Sequence, residues 1–204
     1  MPSEVSICNM ALQKLGNEAI TALSEDSKRA RACNLYYDIN RDAILAAFPW
    51  NGCVKRARLA RLAEEPEWGF SYKYQLPADC LRVLRAFDDE SAGEDDTYEI
   101  TYQVESRELL TDATEVYVKY IKREEDPNKY SPLLIEAMAC RLAVQLVYNL
   151  AASTTLREQA FQEYDLVLRE ARKTDGREGT TRQKRQLSSW LEGRRGGAVP
   201  DLDY

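Results

Sequence analysis

Six carboxylates crowd one short stretch of this chain, at Asp88, Asp89, Glu90, Glu94, Asp95 and Asp96. Two acids held at a fixed separation across a cleft, one with a raised pKa, can cleave a glycosidic bond. Here they share their stretch with Ser91, Ala92 and Gly93, the composition of a solvated turn, and the DxDxDG spacing of a calcium loop is missing. Histidine is absent altogether, which removes the commonest general base and the commonest zinc ligand. The five cysteines, Cys8, Cys33, Cys53, Cys80 and Cys140, form no CxxC pair and imply neither a metal site nor a disulfide framework. Cys8, Cys33 and Cys140 fall on apolar faces of helical patterns, where a thiol acts as a small hydrophobe. Gly16, Gly52 and Gly69 are isolated, so no phosphate-cradling loop occurs. The residues point to no catalytic site, no metal and no cofactor.

Three basic clusters are the other chemistry on offer. They are Lys28, Arg29 and Arg31; Lys55, Arg56, Arg58 and Arg61; and a C-terminal set, Arg177, Arg182, Lys184, Arg185, Arg194 and Arg195. They sit in an acidic protein of net charge −6 and pI about 5.0, so no global field draws nucleic acid. Solvated faces and ion pairs to the many acids are the bland account. Contact with an acidic partner or with DNA phosphates is the sharper one.

These residues need elements to hold them. A chain of 204 residues, 44% hydrophobic and 30% charged, is one domain, or one with an inserted subdomain. Ser3 predicts the cap of a helix to Leu15, closed by Gly16. Asp26 or Ser27 caps a second, Lys28 to Phe48, with Ala32, Leu35, Tyr36, Ile39, Ala43, Ala46 and Ala47 as its buried face. Pro49 stops it, and Trp50 anchors the turn. Cys53–Ala63 reads as a short basic helix. Alternating aromatics predict a strand over Trp68–Gln75, followed by strands at Leu81–Phe87, Tyr98–Val104, Arg107–Leu110 and Glu115–Ile121. Pro77 ends a strand, and Asp79 is positioned to bond turn amides. Ser131–Pro132 starts a central helix, apolar over a wide arc, to Leu150. Ser153 or Thr154 caps a last helix to Lys173, with Phe161, Tyr164, Leu168 and Ala171 inward. The polar run from Thr174, with Leu187, Trp190 and Leu191 as its apolar anchor, reads as a tail. The N-terminus has no signal layout, and no apolar run is expected to reach membrane-spanning length. A reducing compartment, or a particle assembled in one, is the expected setting.

The expected class is α+β. An antiparallel bundle of four to five helices (1–65 and 126–173) carries an inserted antiparallel β subdomain (66–125) and an extended tail (174–204).

The order ALQKLG, ITALSEDSKRARACNLYYDINRDAILAAFPWNGCVKRARLA and WGFSYKYQLPADCLRVL resembles the tail tubular protein A family, the head-to-tail adaptors, or connectors, of tailed bacteriophages. The likeness spans Ala11–Leu84 and is looser over Ser131–Lys173. It implies a structural virion protein, not an enzyme: a helical bundle with a β insert, forming a ring of about a dozen subunits. Such a ring would sit at the head–tail junction after assembly in the host cytoplasm, joining portal protein to the nozzle or next tail protein. Genomic DNA would pass through without sequence-specific binding, and no membrane is involved. Family members extend their C-terminal segment onto the portal, so the resemblance assigns portal contact to Arg177, Arg182, Lys184, Arg185, Trp190, Leu191, Arg194 and Arg195. The acidic stretch Asp88–Asp96 is not part of the pattern. A DNA-binding module using the basic clusters, and behind it a glycan hydrolase, are the alternatives.

Overall fold

The structure is a computed structural model, and it describes residues 1–90, 99–151 and 153–178. It is mixed helix and sheet, an α+β protein with four α-helices and seven strands among the described residues. Helix α1 (Glu4–Lys14) is capped by Ser3, whose hydroxyl accepts from the Ser6 amide while the Ser6 hydroxyl accepts from that of Ser3. Gly16 follows with φ +68°, the left-handed geometry that suits a glycine after a helix. Helix α2 (Lys28–Ala47) is capped by the Ser27 hydroxyl, and Pro49 lies just past its end. Helix α3 (Pro132–Leu150) has Ser131 as its cap and proline in its first turn. Helix α4 (Thr154–Glu178) begins where the Ser153 hydroxyl accepts the Leu156 amide. α3 is central, packing against α1, α2 and α4.

Between α2 and α3 run β1 (Val54–Arg58), β2 (Ala60–Arg61), β3 (Tyr72–Gln75), β4 (Cys80–Phe87), β5 (Tyr102–Glu105), β6 (Glu108–Thr111) and β7 (Tyr117–Lys122). They form two antiparallel sheets, ordered β1-β7-β4 and β2-β3-β6-β5. Period-two alternation sends neighbouring side chains to opposite faces. Ile121 therefore joins the helical core, while Tyr120 joins a second core with Val118, Ala86, Tyr74 and Leu109, shared between the sheets.

Several expectations need correction. Cys53–Ala63 is not a helix: Asn51–Cys53 makes one 3-10 turn, and β1 and β2 follow. The strands begin inside the stretch assigned to helices because β1 finds its partner, β7, far along the chain, and such pairing overrides local propensity. The strand expected from Trp68 starts only at Tyr72, since Gly69 takes φ +93° and bends the chain, leaving Trp68 85% exposed. Helix α4 continues past Lys173, so Thr174–Glu178, expected to be tail, is helical. Phe161 points outward at 58% exposure, while Leu168 and Ala171 are buried.

The buried face of α2 agrees with the expected one at Ala32, with Tyr36 packed against the core, and is otherwise turned from it: the core also takes Ala30, Cys33, Tyr37, Asn40, Arg41, Ile44 and Leu45, and Leu35 and Ile39 stand in solvent. The helix has two faces able to be buried, and the one chosen holds polar groups with partners. Asn40 accepts from Arg141 at 3.1 Å, and Arg41 meets Asp38 and Asp42 at 2.9 and 3.0 Å. α3, too, departs from expectation. By length and composition it could cross a membrane, but half of its apolar window is buried within the chain, against the other three helices.

Candidate partner-binding surfaces

The turn that begins Asn51–Cys53 is the first place where chemistry and fold meet. Pro49 ends α2, and Trp50 buries its ring at 1% exposure and donates its indole N–H to the Ile44 carbonyl at 2.9 Å. That fixes Asn51, whose amide donates to the Asp175 carboxylate at 3.1 Å and whose side chain donates to the Asp175 carbonyl at 2.6 Å. The last turns of α4, which lead into the C-terminal stretch, are thereby clamped to the exit of α2. Burial pushes the Asp175 carboxyl above its ordinary pKa, against the pull of the Asn51 amide. Arg177 stands exposed two residues beyond that clamp. Arg182, Lys184, Arg185, Trp190, Leu191, Arg194 and Arg195 lie outside the described residues.

The face of the first sheet that carries Ile121 into the helical core also carries a cationic row. Arg56, Lys119 and Arg85 stand directly opposite one another across β1, β7 and β4. Like charges in cross-strand register repel, so such a row calls for compensation, and each of the three engages a partner. Arg85 holds Glu99 at 2.6 Å. Next along the face, Arg58 meets Glu115 at 2.8 Å and lies over the Tyr117 ring. The same groove is lined by Phe87, Asp89 and Glu90 and has a volume of about 340 Å³. Of the acidic stretch, Asp88, Asp89 and Glu90 are described and Glu94, Asp95 and Asp96 are not.

Within the first two basic clusters, four residues are matched by acids, Arg58 as above and three more. Arg29 meets Glu18 at 3.2 Å, Arg31 pairs with Asp26, and Lys55 meets Asp79 at 3.1 Å. Asp79 also accepts the Tyr120 hydroxyl at 3.0 Å, so it ties the turn before β4 to the sheet through side chains. Arg61 stacks on the Tyr72 ring at 3.7 Å.

All five cysteines are free and buried. Burial, with Glu124 and Asp175 nearby, pushes the Cys53 thiol up to about 12. A thiol so placed stays protonated at neutral pH and is a poor nucleophile. Among the described residues, no group of three or more potential metal ligands comes together.

One ionic knot stands out. Glu124, buried, accepts from Lys122 at 2.7 Å, Lys129 at 3.0 Å and the Asp126 amide at 3.2 Å. Burial alone would raise its pKa, but these three donors bring it down to about 2. The Tyr130 hydroxyl donates to the Glu124 carbonyl, closing the turn before α3. The knot lies in the connection by which β7 passes into α3.

The helical surface carries what sequence reasoning missed. Leu35 and Ile39 on α2, Tyr148 on α3, and Phe161 and Leu166 on α4 are each more than half exposed. Periodicity had marked Leu35, Ile39 and Phe161 as apolar-face residues and nothing more. No protein-family model matches this sequence, and no curated protein matches it.

Proposed function

We propose that the chain is a structural virion protein, a head-to-tail adaptor of tailed bacteriophages. In this reading about a dozen copies form a ring that joins the portal to the tail nozzle and lets DNA pass. The observation that carries it is the agreement between the resembling motifs and their jobs. Gly16, Ser27, Pro49, Trp50 and Pro77 each start, stop or anchor an element at the edges of the helices and sheets. Helices precede and follow the β part in the chain, the order expected of a helical bundle with a β insert. The exposed apolar side chains on α2, α3 and α4 add support, because a self-associating protein has a use for them.

The subunit would need two different complementary faces, since a ring closes by repeating one heterologous contact. The C-terminal stretch with Arg182 to Arg195 would reach the portal, starting from the clamp at Asp175. The test is electron microscopy of the protein bound to its portal: a ring of about twelve subunits is expected, and a single bound copy or an open filament overturns the reading. A DNA-binding module is less well supported, because several described cations of the first two clusters are paired with acids of the same chain.

A further inference from the structure

Helix α2 turns an apolar ridge to solvent. Leu35 and Ile39 lie one helical turn apart, at i and i+4, and are 60% and 67% exposed. Asp38 stands beside them with its side chain 71% exposed, its ion pair with Arg41 reaching inward. Where α3 gives way to α4, on the side where Asn149 donates to the Tyr36 hydroxyl of α2, lies a hollow of about 260 Å³. It is lined by Val147, Tyr148, Ser153, Thr154 and Arg157. Tyr148, 73% exposed, forms one wall, and the Arg157 guanidinium stands 5.6 Å over its ring.

The two features are complementary in polarity and in charge. The ridge is aliphatic with an acid at its flank; the hollow is aromatic with a cation at its rim. Neither is covered by the described residues of the chain that carries it. A lipid surface or an unrelated protein would call for one such feature, not for a matched pair on the same molecule.

We propose that a second copy of this chain docks here. Leu35 and Ile39 of one copy enter the α3–α4 hollow of another, and Asp38 pairs with Arg157 across the contact. The aliphatic side chains leave water at a gain on the order of 25 cal/mol per Å². The ion pair fixes register and excludes mismatched docking. The number of copies rests on the ring reading; the contact itself does not, because it closes equally as a ring or as a reciprocal pair.

The full chain tests this by native mass spectrometry and light scattering of three preparations. Asp38→Arg alone and Arg157→Asp alone each set like charges face to face, and each is expected to weaken self-association by about tenfold or more. An equimolar mixture of the two variants restores the wild-type assembly, because every contact in an alternating assembly again joins opposite charges. Ile39→Glu, an exposed change, is expected to dissociate the assembly while melting like the wild type. Wild-type assembly that survives all three substitutions overturns the contact yet leaves the ring reading standing. Assembly that stops at two copies with portal present, and is broken and rescued as described, keeps the contact and overturns the ring. A wild-type chain that remains monomeric both alone and with portal overturns both.

Discussion

At the scale of single residues, two buried carboxylates contribute to stability with opposite dependence on pH. Glu124 is held down to about 2, below the ordinary Glu value. A group with a depressed pKa contributes stability that is fully present above its unfolded pKa and is lost as pH falls through its folded one. Between pH 5 and pH 2 the protein is therefore expected to lose a few kcal/mol at this site. Glu124→Gln should remove most of that loss and lower the neutral-pH melting temperature, checked by thermal melts from pH 7 to pH 3. Asp175 is raised instead, so its contribution runs the other way, greatest below its unfolded pKa and reduced as pH rises through the folded value. Asp175→Asn keeps an acceptor for the Asn51 amide and is expected to melt at or above the wild type at pH 7. A fall of several degrees there would show that the charge itself holds the clamp. Gly52 stands between these two sites. A Cβ on it would come within 2.5 Å of the Lys129 carbonyl oxygen. Gly52→Ala should cost about 1–3 kcal/mol, readable as a lower urea midpoint with unchanged slope.

At the scale of elements, the helix ends were legible in the sequence because their chemistry is local. Ser3, Ser27, Ser131 and Ser153 all cap as their positions indicate, and Gly16 and Pro49 stop chains for reasons that need no partner. What the sequence hid depended on remote partners. Val54–Arg58 reads as a basic helix until β7 is known to lie beside it. The face that α2 buries is decided by Arg141 on α3, which satisfies Asn40, rather than by the regularity of Leu35 and Ile39. The clamp between Asn51 and Asp175 joins residues 124 positions apart, and no short motif announces such a pair. The junction between α2 and β1 should accordingly be the sensitive one. Trp50→Ala removes a ring at 1% exposure and orphans the Ile44 carbonyl it serves. A loss of about 3–5 kcal/mol is expected, against about 1 kcal/mol for Ser27→Ala at the other end of the same helix. Equal losses would mean that the indole anchors nothing the cap does not.

At the scale of the whole molecule, the question is where helix α4 gives way to the C-terminal stretch proposed to reach the portal. Composition places that boundary at Thr174, where the chain turns polar. The helix instead runs to Glu178, and Asp175 is bound to the body by its side chain and by its carbonyl. The two boundaries predict different outcomes for two deletions. Removing residues 179–204 leaves every contact among the described residues in place, so the shortened protein should melt within a degree or two of the full chain. Removing residues 175–204 takes the acceptors of the Asn51 amide and side chain, two part-buried hydrogen bonds, together with the buried Asp175 itself. Each such bond contributes about 0.5–1.5 kcal/mol, so this protein should melt clearly lower. If the adaptor reading is right, both deletions abolish portal attachment, but only the longer one softens the body. A pull-down on portal combined with thermal melts separates the two effects. Equal melting of both shortened chains would return the boundary to Thr174, and portal binding that survives the shorter deletion would take the attachment role away from Arg182 to Arg195.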